Sequence, residues 1–203
     1  MRSIYIIDDD DELRISLHRL LSLRSDVVIR SFASGDAFLG GADELDPGVL
    51  LLDMNMPGSS GFDVLRAIRD QQRFLAIILT GQGSIEVATK SMKAGAFDFL
   101  EKPYNYQALT EVMEGAFEKL EQESAAAARV EQARQLVSQL SARETDVLKG
   151  LIEGHANKVI AHDLQISPRT VEIYRANLMA KLKVRSLSEA LKIAFAAGLF
   201  PQD

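Results

Sequence analysis

Three features of this 203-residue sequence predict a doubly wound α/β domain on a five-stranded parallel sheet, followed by a smaller all-α domain of four short helices. Five short apolar runs recur through the first hundred residues, and helix-period stretches lie between them. The runs are mostly continuous rather than alternating, as strands buried on both faces of a parallel sheet require. After Leu140 no such run recurs, and only helical periodicity remains. Five strands alternating with helices mean right-handed βαβ units, so the strand ends that carry ligands share one edge.

The first run is Ile4-Tyr5-Ile6-Ile7, and four aspartates, Asp8 to Asp11, follow it directly. Leu13, Leu17, Leu20 and Leu21 then recur at helical spacing. Asp10 and Asp11 read as acids of that helix's first turn, where they favour its dipole. The second run is Val27-Val28-Ile29 and the third Val49-Leu50-Leu51-Leu52, followed by a helix carrying Val64, Leu65 and Ile68. Ala76-Ile77-Ile78-Leu79 and Phe97-Asp98-Phe99-Leu100 complete the set. From Tyr106 a helical pattern through Leu109, Met113, Ala116 and Leu120 passes into "ESAAAARVEQARQLVSQL", rich in helix formers and free of Gly and Pro. Barely two heptads of a/d-like spacing (Val130, Ala133, Val137, Leu140) favour a helical linker over a coiled coil. The expected division is residues 1–121, a linker at 122–140, and a second domain at 141–203.

In that second domain "SARE" at 141–144 forms a capping box before Val147, Leu148, Leu151 and Ile152, and Gly154 is placed to stop the helix. Asn157 opens a helix with Ile160 and Leu164. A turn at Gln165-Ile166 leads to Ser167-Pro168, an N-cap followed by proline at the first helical position. Val171, Tyr174, Leu178 and Leu182 form the inner face of the next helix. Ser186 to Ala197 shows a stripe of Ala190, Ile193, Ala194 and Ala197, which suits either a helix contact between copies or packing onto the domain core.

Composition narrows the chemistry. The chain has no cysteine, which removes disulfides, thiolate nucleophiles and Cys-type zinc sites. No apolar run approaches the ~18 residues needed to span a bilayer, and the N-terminus reads as a strand. A soluble cytoplasmic protein without membrane contact is expected. Residues 1–123 hold 12 Lys and Arg against 21 Asp and Glu, whereas residues 141–203 hold 9 against 7. An acidic front and a mildly basic back point to halves with different partners.

At the shared strand edge the sequence offers Asp8-Asp9, Asp53, Thr80 and Lys102-Pro103. Converging carboxylates raise one another's pKa unless a cation sits among them. Oxygen donors without sulfur or convergent histidine favour a hard ion, Mg²⁺ above all. A carboxylate beside Mg²⁺, a lysine and a hydroxyl is a phosphoryl acceptor site, in which metal and ammonium neutralise the phosphoryl oxygens.

The segments "IIDDDDEL", "LLLDMNMPGSSGFDVL", "ILTGQG" and "MKAGAFDFLEKPY" resemble, in order and spacing, the signatures of a CheY-like receiver domain. The resemblance implies Asp53 as phosphoacceptor. Mg²⁺ would be held by Asp9, Asp53 and the backbone carbonyl of Asn55, with Asp8 acting through water. Thr80 and Lys102 would contact the phosphoryl group, Phe99 would be an aromatic switch residue, and Lys102-Pro103 a cis peptide. Thr80, Phe99 and Pro103 would make up the switch. Such a receiver accepts a phosphoryl group and at most hydrolyses it from itself; it is not otherwise an enzyme.

Two helices across a short turn, the second well capped, outline a helix-turn-helix. The segment from "LSARETDVLKGLIEGHANKVIAHDLQISPRTVEIYRANLMAKLKVRS" to "LKIAF" is closely similar to the LuxR-type DNA-binding domain. The whole chain therefore resembles a two-component response regulator of the NarL/FixJ family, nearest its FixJ branch. The outer face of the second helix carries Arg169, Glu172, Ile173, Arg175, Ala176 and Asn177. Glu172 suits cytosine N4 and Ile173 a thymine methyl. Lys158, Arg169, Thr170, Arg175 and Lys181 suit phosphates, which position without reading sequence; a plain solvent face is the competing reading. The resemblance implies promoter DNA, a sensor histidine kinase and RNA polymerase as partners, with homodimerisation on phosphorylation. The alternative is a phosphorylation-independent DNA binder whose receiver is only a protein-interaction module.

Overall fold

A computed structural model describes residues 1–69, 71, 73–81 and 85–199. Gln82 and Gly83 of the "ILTGQG" segment and residues 200–203 of the expected second domain lie outside them. The chain divides into two compact units, Met1–Glu123 and Ser124–Asp203.

In the first unit the strands are β1 (Arg2–Ile7), β2 (Val27–Phe32), β3 (Gly48–Asp53), β4 (Phe74–Thr80) and β5 (Asp98–Glu101). They pair in parallel in the order β2-β1-β3-β4-β5. Helices α1 (Asp11–Leu21), α2 (Gly35–Leu39), α3 (Gly61–Ile68), α4 (Ile85–Ala94) and α5 (Tyr106–Ser138) connect and continue them, the last running past Glu123 into the residues of the second unit. Successive strand side chains alternate between faces. Ile4, Ile6, Val49 and Leu51 pack against Leu17 and Leu21 of α1 and Leu109, Met113 and Phe117 of α5. Tyr5, Ile7, Leu50 and Leu52 pack on the opposite face, against Phe38 of α2 and Val64, Leu65 and Ile68 of α3. Both sheet faces are thus covered, which explains why β3 is buried along its whole length.

The run at Asp8–Asp11 is divided differently from the expectation. Asp10 does not belong to the first helical turn but is the N-cap of α1, extended at φ −78°, ψ 107°. Its carboxylate accepts from the N–H groups of Glu12 and Leu13 at 2.9 and 3.1 Å. A short side chain just before a helix serves the unpaired N–H groups better than it serves the dipole. Asp11 is the first helical residue and pairs with Arg14. Helix α2 and a 3-10 turn at Ala42–Glu44 fill the stretch between β2 and β3, which periodicity left blank.

The second unit contains α6 (Ala142–Ile152), α7 (Asn157–Asp163), α8 (Pro168–Lys181) and α9 (Leu187–Ala196). The capping box at Ser141 and Glu144 is formed in both directions, and Pro168 follows the N-cap Ser167. Gly154 at φ +78°, Gln165 at φ +55° and Lys183 at φ +58° lie in the three connections between these helices. Val147, Leu148, Ile160, Val171, Leu178, Ala190 and Ala194 form one core, on which Leu136, Val137 and Leu140 also pack. Ala190 and Ala194 are fully buried there, so the small-residue stripe of α9 serves the domain's own packing.

Candidate functional site

In a sheet of this order the crevice opens where β1 has neighbours leading to opposite sides, beyond the carboxyl ends of β1 and β3. Asp8 and Asp53 stand on its two walls and are 2% and 8% exposed. Lys102, following β5, reaches between them: its Nζ donates to Asp8 Oδ2 at 2.9 Å and to Asp53 Oδ1 at 2.8 Å. Burial opposes the charge on Lys102, but the hydrogen bonds to Asp53 and Asp8 outweigh it and hold the ammonium pKa above the ordinary lysine value. Asp8 Oδ1 accepts from Asp10 N–H at 2.9 Å, and Asp53 Oδ2 from Asn55 N–H at 2.7 Å.

The backbone fixes these groups closely. Lys102 N–H donates to Thr80 O at 2.8 Å, which ties the end of β5 to the end of β4. The Lys102–Pro103 bond is cis, as the resemblance implied. Gly61 opens α3 against the end of β3, and a Cβ there would lie 2.5 Å from Asp53 O. Met54 and Met56 are buried, so the loop between them lifts Asn55 into an exposed position. Thr80 is buried, whereas Phe99 is 37% exposed and Pro103 is exposed.

Asp9 stands apart from Asp8 in being exposed. Among the described residues no three Asp, Glu, His or Cys side chains gather closely enough to form a ready metal cage. An all-oxygen pair of carboxylates beside a loop carbonyl nevertheless fits a small hard cation. Mg²⁺ keeps several waters and is usually held by one or two carboxylates.

Sequence reasoning missed four groups beside this crevice. Arg14 donates to Asp8 O at 2.6 Å. The buried Tyr104 hydroxyl has no hydrogen-bond partner among the described residues, and burial pushes its pKa up. Asp36 accepts from Ser59, as described below. None of these pairings has a periodic signal.

In the second unit the inner face of α8 is as expected: Val171, Leu178 and Leu182 are buried and Tyr174 is half-buried. Arg169, Glu172, Ile173, Ala176 and Asn177 are exposed on its outer side, with Ile173 at 54%. Lys158 is exposed on α7, and Thr170 is drawn to the cap, its Oγ1 2.8 Å from Ser167 Oγ. Two residues expected on phosphates have partners inside the domain. Arg175 Nη1 donates to Asn157 Oδ1 at 2.5 Å, linking α8 to α7. Lys181 Nζ donates to Glu144 Oε2 at 2.6 Å. That bond, with the Ser141 N–H, holds the Glu144 carboxyl below the usual range.

Comparison with known proteins agrees with both units. Residues 4–114 match the response regulator receiver domain, and residues 138–194 match the bacterial regulatory proteins of the luxR family. The transcriptional regulatory protein FixJ of Azorhizobium caulinodans is 42% identical over 98% of this chain and 95% of its own length. Among solved structures, the response regulator StyR has a TM-score of 0.84 at 33% identity, covering 96% of this chain and 98% of its own. Full-length FixJ from B. japonicum has a TM-score of 0.59 at 40% identity, covering 98% of both chains. A receiver crevice followed by a capped helix-turn-helix, matched along nearly the whole chain, places this protein among the two-component response regulators of the NarL/FixJ family, transcription factors with a LuxR-type DNA-binding domain.

Proposed function

We propose that DNA binding by this protein is switched by Mg²⁺-dependent phosphorylation of Asp53 by a sensor histidine kinase. The observation that carries this reading is the Lys102 ammonium bridging the buried carboxylates of Asp8 and Asp53. Two buried carboxylates held by one lysine leave net negative charge, which favours a divalent cation. When bound, Mg²⁺ neutralises phosphoryl oxygens and so lowers the barrier to attack by a carboxylate. Asp9, Asp53 and the Asn55 carbonyl would hold it, with Asp8 through water.

This chain's own groups then have distinct tasks. Asp53 supplies the nucleophilic oxygen, and the Asn55 N–H on its other oxygen fixes the carboxylate's orientation. Lys102 exchanges its carboxylate partners for the incoming phosphoryl group, and Thr80 meets the same group from β4. The added charge biases Thr80, Phe99 and Pro103 on the face of α4, β5 and α5. Ile85, Met92, Phe99 and Tyr106 expose apolar surface on those elements, which suits dimerisation on phosphorylation. A dimer presents two α8 helices to promoter DNA, Glu172 and Ile173 toward base edges, with Ala176 and Asn177 beside them. Lys158 and Arg169 lie toward phosphates, whereas Thr170, Arg175 and Lys181 would reach them only by giving up Ser167, Asn157 and Glu144. RNA polymerase is the further partner, and the cytoplasm the location.

The test is phosphorylation with acetyl phosphate, followed by sizing with and without beryllofluoride and Mg²⁺. Wild type should incorporate phosphate and dimerise, and Asp53→Asn should do neither. Equal incorporation by Asp53→Asn would overturn the assignment. Equal operator affinity with and without beryllofluoride would leave the receiver as an interaction module only.

A further inference from the structure

The β3–α3 loop, residues 54–60, carries the Asn55 carbonyl, and most of its anchors are local. Met54 and Met56 sit in the core, Asn55 N–H bonds Asp53, and Ser60 caps α3 in a capping box with Asp63. Among the described residues one polar anchor comes from elsewhere. The Asp36 carboxylate, 23 residues earlier in the chain, accepts from Ser59 N–H at 3.2 Å through Oδ2 and from Ser59 Oγ–H at 2.6 Å through Oδ1. We propose that Asp36, clasping Ser59 with both carboxylate oxygens, is a positioning residue that sets the β3–α3 loop for metal binding and phosphoryl transfer at Asp53.

The element that bears Asp36 is rigid enough for this task. Helix α2 is anchored by Phe38, which is fully buried and makes ring contacts with Phe32, Tyr5 and Phe74. At its first residue, Gly35, a Cβ would lie 2.5 Å from Ser59 O, so the α2 backbone presses directly on the loop. The turn between Asn55 and Ser59 passes through Gly58 at φ +79°, a conformation with little resistance of its own. An outside clasp just beyond that glycine removes the freedom the glycine adds. Both bonds are charge-assisted, and they hold the Asp36 carboxyl below its usual range. A metal-ligating carbonyl needs positioning within about 0.5 Å, which a loop fixed only by its own neighbours does not secure.

This inference rests on the phosphorylation reading above, and the experiment separates the two. In the full-length protein, Mg²⁺ affinity is measured by calorimetry, and acetyl phosphate uptake is followed over a range of Mg²⁺ concentrations. Asp36→Ala and Ser59→Ala should each weaken Mg²⁺ binding about three- to tenfold and slow uptake at low Mg²⁺, with much less effect at saturating Mg²⁺. The unfolding temperature in metal-free buffer should barely change, since Asp36 is exposed. Asp36→Asn, whose amide oxygen still accepts from Ser59, should recover most of the affinity, and the double alanine variant should be no worse than either single one. Wild-type Mg²⁺ affinity in Asp36→Ala, or additive losses in the double variant, would overturn the clasp while leaving the phosphorylation reading intact. A wild type that neither binds Mg²⁺ nor takes up phosphate would overturn both.

Discussion

Lys102→Met removes the cation between Asp8 and Asp53 and keeps most of the side-chain volume. The 2.9 and 2.8 Å bonds to one nitrogen keep the two carboxylate oxygens within about 6 Å of each other. At an effective dielectric of about 20, two unit charges at that distance repel by roughly 3 kcal/mol. In wild type the ammonium offsets this repulsion by attracting both oxygens from 2.9 and 2.8 Å. Removing one partner from a buried ionic cluster costs about 3–5 kcal/mol. The Lys102 side chain is 24% exposed, and the substitution also relieves its burial cost, so the expected loss without divalent cation is about 2–3 kcal/mol.

Mg²⁺ changes that comparison. On the proposed reading the ion would replace the missing charge, so the variant should be stabilised by Mg²⁺ more than wild type, in which Lys102 would compete for the same oxygens. Thermal unfolding of the full-length protein in chelator and in millimolar Mg²⁺ measures both effects, with stabilisation following the ratio of metal concentration to Kd. Stability equal to wild type in chelator would refute the electrostatic account of the crevice. An equal Mg²⁺ shift in both proteins would refute the shared site.

Three further predictions concern the second domain. Leu178 is fully buried at the centre of its core, so Leu178→Ala should cost about 2–5 kcal/mol of its stability, read by chemical denaturation. Glu144, its pKa lowered by Lys181 and Ser141, contributes stability that is complete above the ordinary glutamate pKa and fades as pH falls through the lower folded value. Glu144→Gln should therefore flatten the acid limb of the stability profile, and an unchanged limb would remove the pair from the account. Lys158→Ala and Arg169→Ala should each lower the salt slope of operator binding by about one and weaken all sequences alike, whereas Ile173→Ala should relax preference at one base position. Binding titrations on matched and mismatched sites separate these outcomes.

The sheet was legible because burial on both faces writes itself as continuous apolar runs, and α8 because a cap, a proline and a spaced inner face coincide. Boundaries were less so. The fifth run reads Phe97–Leu100, but β5 is Asp98–Glu101, because the ladder pairs Glu101 with Thr80 regardless of polarity. Helix α2 has only five residues, too few for a period to show. The ends of the strands told where Asp8, Asp53 and Lys102 would meet, since a parallel sheet aligns its carboxyl ends. They did not tell which partners would restrain them.

In both units other polar pairs are likewise far apart in sequence and set by packing: Asp36 with Ser59, Asn157 with Arg175, Glu144 with Lys181. The four aspartates after β1 show the same limit from the other side. Side by side in sequence, they have four different surroundings. Asp8 is buried against Lys102, Asp9 is exposed, Asp10 caps α1, and Asp11 pairs with Arg14. Charge repulsion within the run is relieved by distributing it over a lysine, solvent, backbone N–H groups and an arginine. Asp10, whose N–H donates to Asp8 Oδ1, and Arg14, which pairs with Asp11 and donates to the Asp8 carbonyl, thus hold the chain beside the crevice in place.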